Sequence, residues 1–343
     1  MKRRRQGRGD WHRLDDERLL DLRMSDLGLR IEGSPVERQV ERLYRELEAR
    51  GIDFRPHCWI AEEWFSADGV PGFAVPFYVF HPRLKNLQRR FMGEVEGGNA
   101  RALMRILRHE AAHAIDTAYR LRRRKKWRET FGYASTPYPE YYRPRPGSRR
   151  FVQHLGNWYA QSHPTEDFAE TFAVWLTPRS NWRSRYAGWP AIHKLNCVDE
   201  FMREIRGQRP VVRARHHVEP LRHARWTLRE HYRRMVQHYR TDDAERMDRI
   251  LGRVFTLTRS RRGQATAAQR LREELPVFRR RIARRLGASE YLVQEVVEHL
   301  IWRCYAHGLL VRDDWRISRR RVERFIMALV RRAMRNAGPK LAL

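Results

Sequence analysis

The stretch RILRHEAAHAIDTAYRL, Arg105 to Leu121, brings His109, Glu110 and His113 within five positions. On a helix His109 and His113 are four residues apart, so both imidazoles leave the same face one turn from each other. That spacing lets two ring nitrogens reach one Zn²⁺ at about 2.0–2.1 Å. Glu110 sits beside them, placed to take a proton from water without being a ligand. The pattern fixes only three positions, and an ordinary helix with two solvent-facing histidines also produces it. Here Leu107, Ala111, Ala112, Ala114 and Ile115 make the helix apolar, which calls for burial. Two histidines still leave the metal a ligand short.

The third ligand separates the classes of zinc hydrolase. The metzincin layout needs Gly at 116 and His at 119, and those positions hold Asp116 and Tyr119. DNA-dependent proteases with an HExxH helix take a third His a short way downstream. The next one here is His154, which disfavours that class. SHPTEDFAETFAVWL, residues 162–176, offers carboxylates instead. Glu166 and Glu170 share one face of a helix otherwise made of Phe168, Phe172, Ala173 and Leu176. Two carboxylates on an apolar helix are costly unless something neutralises or hydrogen-bonds them, and a metal with its histidines does both. Glu166 could ligate directly while Glu170 accepts a hydrogen bond from a ligand imidazole. A solvent-facing pair of Glu residues is the ordinary alternative.

HEAAHAID followed by YAQSHPTEDFAETFA resembles the zinc-binding metallopeptidases of bacteria, gluzincins similar to the catalytic domain of anthrax lethal factor. GFAVPFYVFHPRL is similar to the strand that precedes the active helix in the bacterial group. The similarity spans roughly residues 50–205. It implies His109, His113 and Glu166 as ligands, Glu110 as general base and Glu170 as support. It also implies Tyr159, seven residues before Glu166, as the phenol that stabilises the tetrahedral intermediate.

Other polar residues have less specific readings. Asp116 lies three residues beyond His113 and either orients it or pairs with Arg120. His154, His163 and His193 read as satisfied core or surface histidines, and Trp158, Trp175, Trp182 and Trp189 as core or cleft lining. Tyr138, Tyr141 and Tyr142 in the Pro-rich segment 132–150 suggest a lid over the cleft. No GxGxxG, phosphate-binding loop or Ser/His/Asp elbow gives nucleotide or serine chemistry a seat.

The elements that must position these groups follow from periodicity. A helix is expected from Pro35 to Arg50, and a strand-and-hairpin region from Phe54 to Phe80, broken at Asp68-Gly69 and Pro71-Gly72. Pro76 cannot donate to a ladder, so its strand should lie at an edge. Asn99 should cap the HEAAH helix, which should run into the cations Arg122 to Lys126. A second helix should start near Pro164 and stop before Thr177-Pro178. Further helices are expected from Leu221 onward and near 243–256, 265–285, 288–304 and 318–337.

These expectations give an α+β fold: a basic tail at 1–10, a zincin-like domain at 11–212 and a basic all-helical domain at 213–343. In the zincin-like domain the active-site helix lies under a small sheet. At 343 residues the chain is long enough for two domains. Its formal charge of +30 suits a polyanionic partner, nucleic acid or an acidic protein, engaged through residues 213–343. Only six of the 71 basic residues are Lys, and such Arg bias also follows from a GC-rich coding sequence. Cys58, Cys197 and Cys304 lack CxxC spacing and fit free thiols in a reducing compartment. The start lacks the apolar run of a secretory signal, and the longest apolar stretch is about half a membrane span. The expectation is a cytoplasmic zinc metallopeptidase acting on peptides or proteins. The alternative is a basic binding protein with a structural or degenerate zinc site.

Overall fold

The computed structural model describes residues 10–92, 95–139, 141–142, 144–238, 251–252, 254–256, 266–288, 290–306, 308–311, 314–335 and 341–342. Most of the basic tail and residues 243–250 of one expected helix lie outside them. The fold is mixed, mainly helical with small sheets. The chain packs as two units, one from residues 1–85, 96–228 and 341–343, the other from 86–95 and 229–340.

The first unit begins with α1 (Asp16–Leu20) and α2 (Pro35–Glu48). Ser34 caps α2 by accepting the Glu37 N–H, and Pro35 fills a first-turn position where no donor is needed. Strands β1 (His57–Ala61) and β2 (Gly72–Pro76) then pair in parallel, His57 opposite Gly72 and Ala61 opposite Pro76. A hairpin between them is therefore not what forms. The turn at Asp68-Gly69 does reverse the chain, but the segment it brings antiparallel to β2 is the one at Phe65, bridged to Ala74. Gly72 opens β2 so close to β1 that a Cβ there would lie 2.4 Å from the His57 carbonyl oxygen.

After β2 come a 3-10 turn at Phe77–Phe80, α3 (Pro82–Met92) and the long α4 (Ala100–Tyr119). The Asn99 side chain accepts from the Ala102 N–H, a cap worth about 1 kcal/mol. The helix does not run on into the cations. It ends at Arg120 in the left-handed region (φ 54°), and Leu121–Arg123 form a separate 3-10 turn before α5 (Lys125–Phe131). Next come β3 (Tyr141–Tyr142), α6 (Pro164–Leu176), α7 (Trp182–Arg185) and α8 (Ala191–Glu204).

α6 is buried on every face from Thr165 to Leu176 and packs against α4, α5 and α8. Phe168, Phe172, Trp175, Leu107 and Ile115 form much of the shared core. Arg108 on α4 holds Glu46 on α2 in a two-pronged pair at 2.7 and 2.8 Å, both groups buried. Such a pair fixes the helix face next to His109 more than it adds net stability. Residues 213–228, expected in the second domain, bond within the first unit: the Met24 N–H reaches Trp226 O and the Leu228 N–H reaches Leu22 O.

The second unit holds α3 from Asn86 on and most of α9 (Leu228–His238), together with α10 (Ala267–Leu286), α11 (Glu290–Ala306) and α12 (Trp315–Arg335). Leu271, Phe278, Ile282, Val293, Val297, Leu300, Ile326 and Val330 form its core. It is not purely helical, because β4 (Phe255–Thr256) pairs antiparallel with β5 (Leu310–Val311). Helix α9 starts at Leu228 rather than Leu221, after a 3-10 turn at Leu221–His223. The last strand, β6 (Leu341–Ala342), returns to pair with β3 in the first unit. Among the described residues no helix is long and apolar enough to cross a membrane.

Candidate metal centre

Helix α4 presents His109 and His113 one turn apart, and α6 presents Glu166 opposite them. All three are buried. His109 Nε2 lies 3.2 Å from His113 Nε2 and 2.9 Å from Glu166 Oε2, and His113 Nε2 lies 3.3 Å from the same oxygen. Three ligands about 2.05 Å from a tetrahedral ion stand about 3.3 Å apart, so this triangle has the size a zinc ion needs. The donor set fits as well, two imidazoles and a carboxylate whose ligand atoms all lie within 4.8 Å of one another.

The groups around the triangle reinforce it. Glu170, one turn along α6 from Glu166, places Oε1 2.9 Å from His109 Nδ1 and accepts the Leu155 N–H on Oε2 at 2.7 Å. A neutral His109 that donates from Nδ1 directs its Nε2 lone pair at the centre. Burial pulls the His109 pKa down, but the carboxylates of Glu166 and Glu170 outweigh it and hold the imidazole well above its ordinary value. Burial pushes Glu166 up, but His113 and His109 overcome it and hold the carboxyl well below its usual range.

Glu110 is buried, and its Oε2 accepts a 3.0 Å hydrogen bond from Ser66 Oγ. Ser66 follows Phe65, whose carbonyl accepts the Ala74 N–H, so the sheet fixes the residue that holds Glu110. Tyr159 lies in a 3-10 turn just before α6, after Asn157 and Trp158, both in the left-handed region. Its ring is 5.7 Å from that of His109, and its hydroxyl has no hydrogen-bond partner among the described residues. Burial, then the charges of Glu166 and Glu110, raise its pKa, so it stays a protonated donor.

Asp116 does not pair with Arg120. Its Oδ1 accepts the Arg122 N–H at 2.7 Å and its Oδ2 accepts Arg122 Nε at 2.6 Å. Burial raises the Asp116 pKa despite the opposing charges of Arg122 and His113, which puts it within electrostatic reach of that ring. His154 is buried with Nε2 2.9 Å from Arg105 O, His163 caps α6, and His193 is exposed.

Some contacts had no legible signal. The Tyr138 hydroxyl donates to Glu166 Oε1 at 2.6 Å, a contact that the expectation of a lid does not include. Tyr142 donates to Asn157 O at 2.8 Å. Asp167, a third buried acid on α6, pairs with Lys194 at 2.5 Å. The run of acids on an apolar helix could have flagged Asp167, whereas nothing in the spacing of Ser66 or Tyr138 points to the site.

Residues 84–187 match a family model described as "Putative zinc-binding metallo-peptidase". The match holds α4 and α6 and every residue of the donor triangle, and spans under a third of the chain. No curated protein and no solved structure matches the chain.

Proposed function

We propose that the protein is a gluzincin-type, zincin-like metallopeptidase that hydrolyses peptide bonds, with a zinc ion held by His109, His113 and Glu166. The observation that carries this reading is the triangle of donor atoms closed by α4 and α6, with Glu110 next to it in sequence and anchored by Ser66. When bound, the metal supplies Lewis-acid polarisation of the scissile carbonyl and a lowered pKa for water.

The chain's own residues do the rest. Glu110 takes the proton of the attacking water and passes it to the leaving amine. Ser66 holds one Glu110 oxygen, which leaves the other to receive the proton. Glu170 keeps the His109 ring in orientation through Nδ1. Tyr159 donates to the carbonyl oxygen of the substrate as charge builds on it. A closed structural zinc site takes four protein ligands. Among the described residues three donors converge here, which favours a site with an open position over the structural or degenerate one.

The test compares zinc-loaded wild type and Glu110→Gln on a mixture of unfolded proteins, with cleavage read by mass spectrometry. Wild type should cleave, and the variant should bind zinc equally and not cleave. Loss of metal in the variant would show that Glu110 is a ligand and not the base.

A further inference from the structure

Tyr138 touches the site from outside the two helices that build it. Its hydroxyl donates to Glu166 Oε1 at 2.6 Å and lies 2.5 Å from Thr165 Oγ1, while Glu166 Oε2 faces the two histidines. We infer that Tyr138 is a positioning residue for the metal: by engaging one oxygen of Glu166 it presents the other as a single ligand atom. The inference rests on the metal reading above.

The placement of the phenol is built in. Its ring stacks on His163 at 3.8 Å between centroids, with 15° between the planes. His163 is itself fixed at the start of α6, accepting the Thr165 N–H on Nδ1 and contacting Thr136 O through Nε2 at 2.7 Å. One histidine therefore caps the helix that carries Glu166 and also clasps the loop that carries Tyr138. The segment from Thr136 to Tyr138 is fastened to the ligand helix rather than free to swing.

The chemistry follows from carboxylate geometry. A carboxylate with two free oxygens can turn about its last bond, or offer both oxygens to one ion. A charge-assisted bond of 2.6 Å to one of them removes that freedom before any ion arrives. Pre-organisation of this kind lowers the entropy lost on binding, and partners of metal ligands typically contribute about 10- to 100-fold in affinity.

The experiment measures zinc affinity by chelator competition and the visible spectrum of the Co²⁺-loaded protein, in full-length wild type, Tyr138→Phe and Tyr142→Phe. Tyr138→Phe keeps the ring on His163 and removes only the donor. It should weaken zinc binding about 10-fold or more. It should also lower the Co²⁺ band intensity, as the freed oxygen raises the coordination number. Tyr142→Phe removes a hydroxyl of the same loop that bonds to Asn157 O, and should leave both readouts at wild-type values. Wild-type affinity and spectrum in Tyr138→Phe would overturn the inference alone. Equal losses in both variants would assign the effect to the loop and overturn it too. A wild type that binds no zinc would overturn this inference and the proposed function together.

Discussion

Glu170 lies 2.9 Å from the far ring nitrogen of His109, reaching across from α6 to α4, while its other oxygen is tied to the Leu155 N–H. Glu166, one turn earlier, gives its oxygen to the centre itself. The two carboxylates therefore differ in what their loss should do. Glu166→Ala should release most bound zinc, and Glu170→Ala should weaken binding about 10- to 100-fold. Chelator competition checks the order, and the reverse order would mean the roles are exchanged.

Tyr159 carries a phenol beside His109 with its hydroxyl unengaged among the described residues. A donor that acts only on developing charge changes turnover more than binding. Tyr159→Phe should leave zinc content and thermal stability near wild type, lower kcat about 10²- to 10³-fold and change KM little. A loss of stability with kcat unchanged would make the residue a packing element.

Asp116 is fully buried, and both its oxygens are engaged by Arg122, which is a quarter exposed. Asp116→Asn should cost about 2 kcal/mol, because a part-exposed Arg can return to water when its partner is lost. Zinc affinity should stay within about threefold of wild type, since the removed bonds are not to a ligand. Denaturant unfolding with a parallel zinc titration tests this. A large loss of affinity would make His113 the residue Asp116 serves.

Burial pushes the Cys58 thiol from its ordinary value of 9.0 up to about 12, with the charge of Glu32 adding to the effect. The folded state thus keeps a proton that the unfolded chain gives up, and the contribution of this group to stability falls as pH rises from about 9 towards 12. Iodoacetamide should label Cys58 at least about 100-fold more slowly in native protein than in guanidinium. Comparable rates, read by peptide mapping, would contradict the half-buried placement.

Local chemistry was legible in the sequence, and of the remote contacts only those of Glu166 and Glu170 with the histidines were expected. Asn99 as cap, Pro164 at the start of α6 and the four-residue spacings 109/113 and 166/170 are local signals, and helices translate them directly into faces. The strand-and-hairpin signature did not give the parallel pairing of β1 with β2, because Asp68-Gly69 signals a reversal without saying which segment it pairs. The end of α4 was misread because a left-handed Arg120 leaves no mark in composition. Ser66 was not expected at the site, and Tyr138 was expected there only as part of a lid. They lie 44 and 28 residues from the groups they hold, and only the folded chain brings each pair together.

The close approach at Gly72 links substitution tolerance to the setting of Glu110. Any side chain at 72 must displace the His57 carbonyl, since the backbone on that side has no flexible end that could yield. A shift at that rung moves Ala74 two residues on, and with it the Phe65 carbonyl and the neighbouring Ser66 that steadies Glu110. Position 72 is then a mutational weak point for α4, although it carries no polar side chain and belongs to a different element. Its damage would register as a misaimed carboxylate in a protein that still folds and still presents the donor triangle.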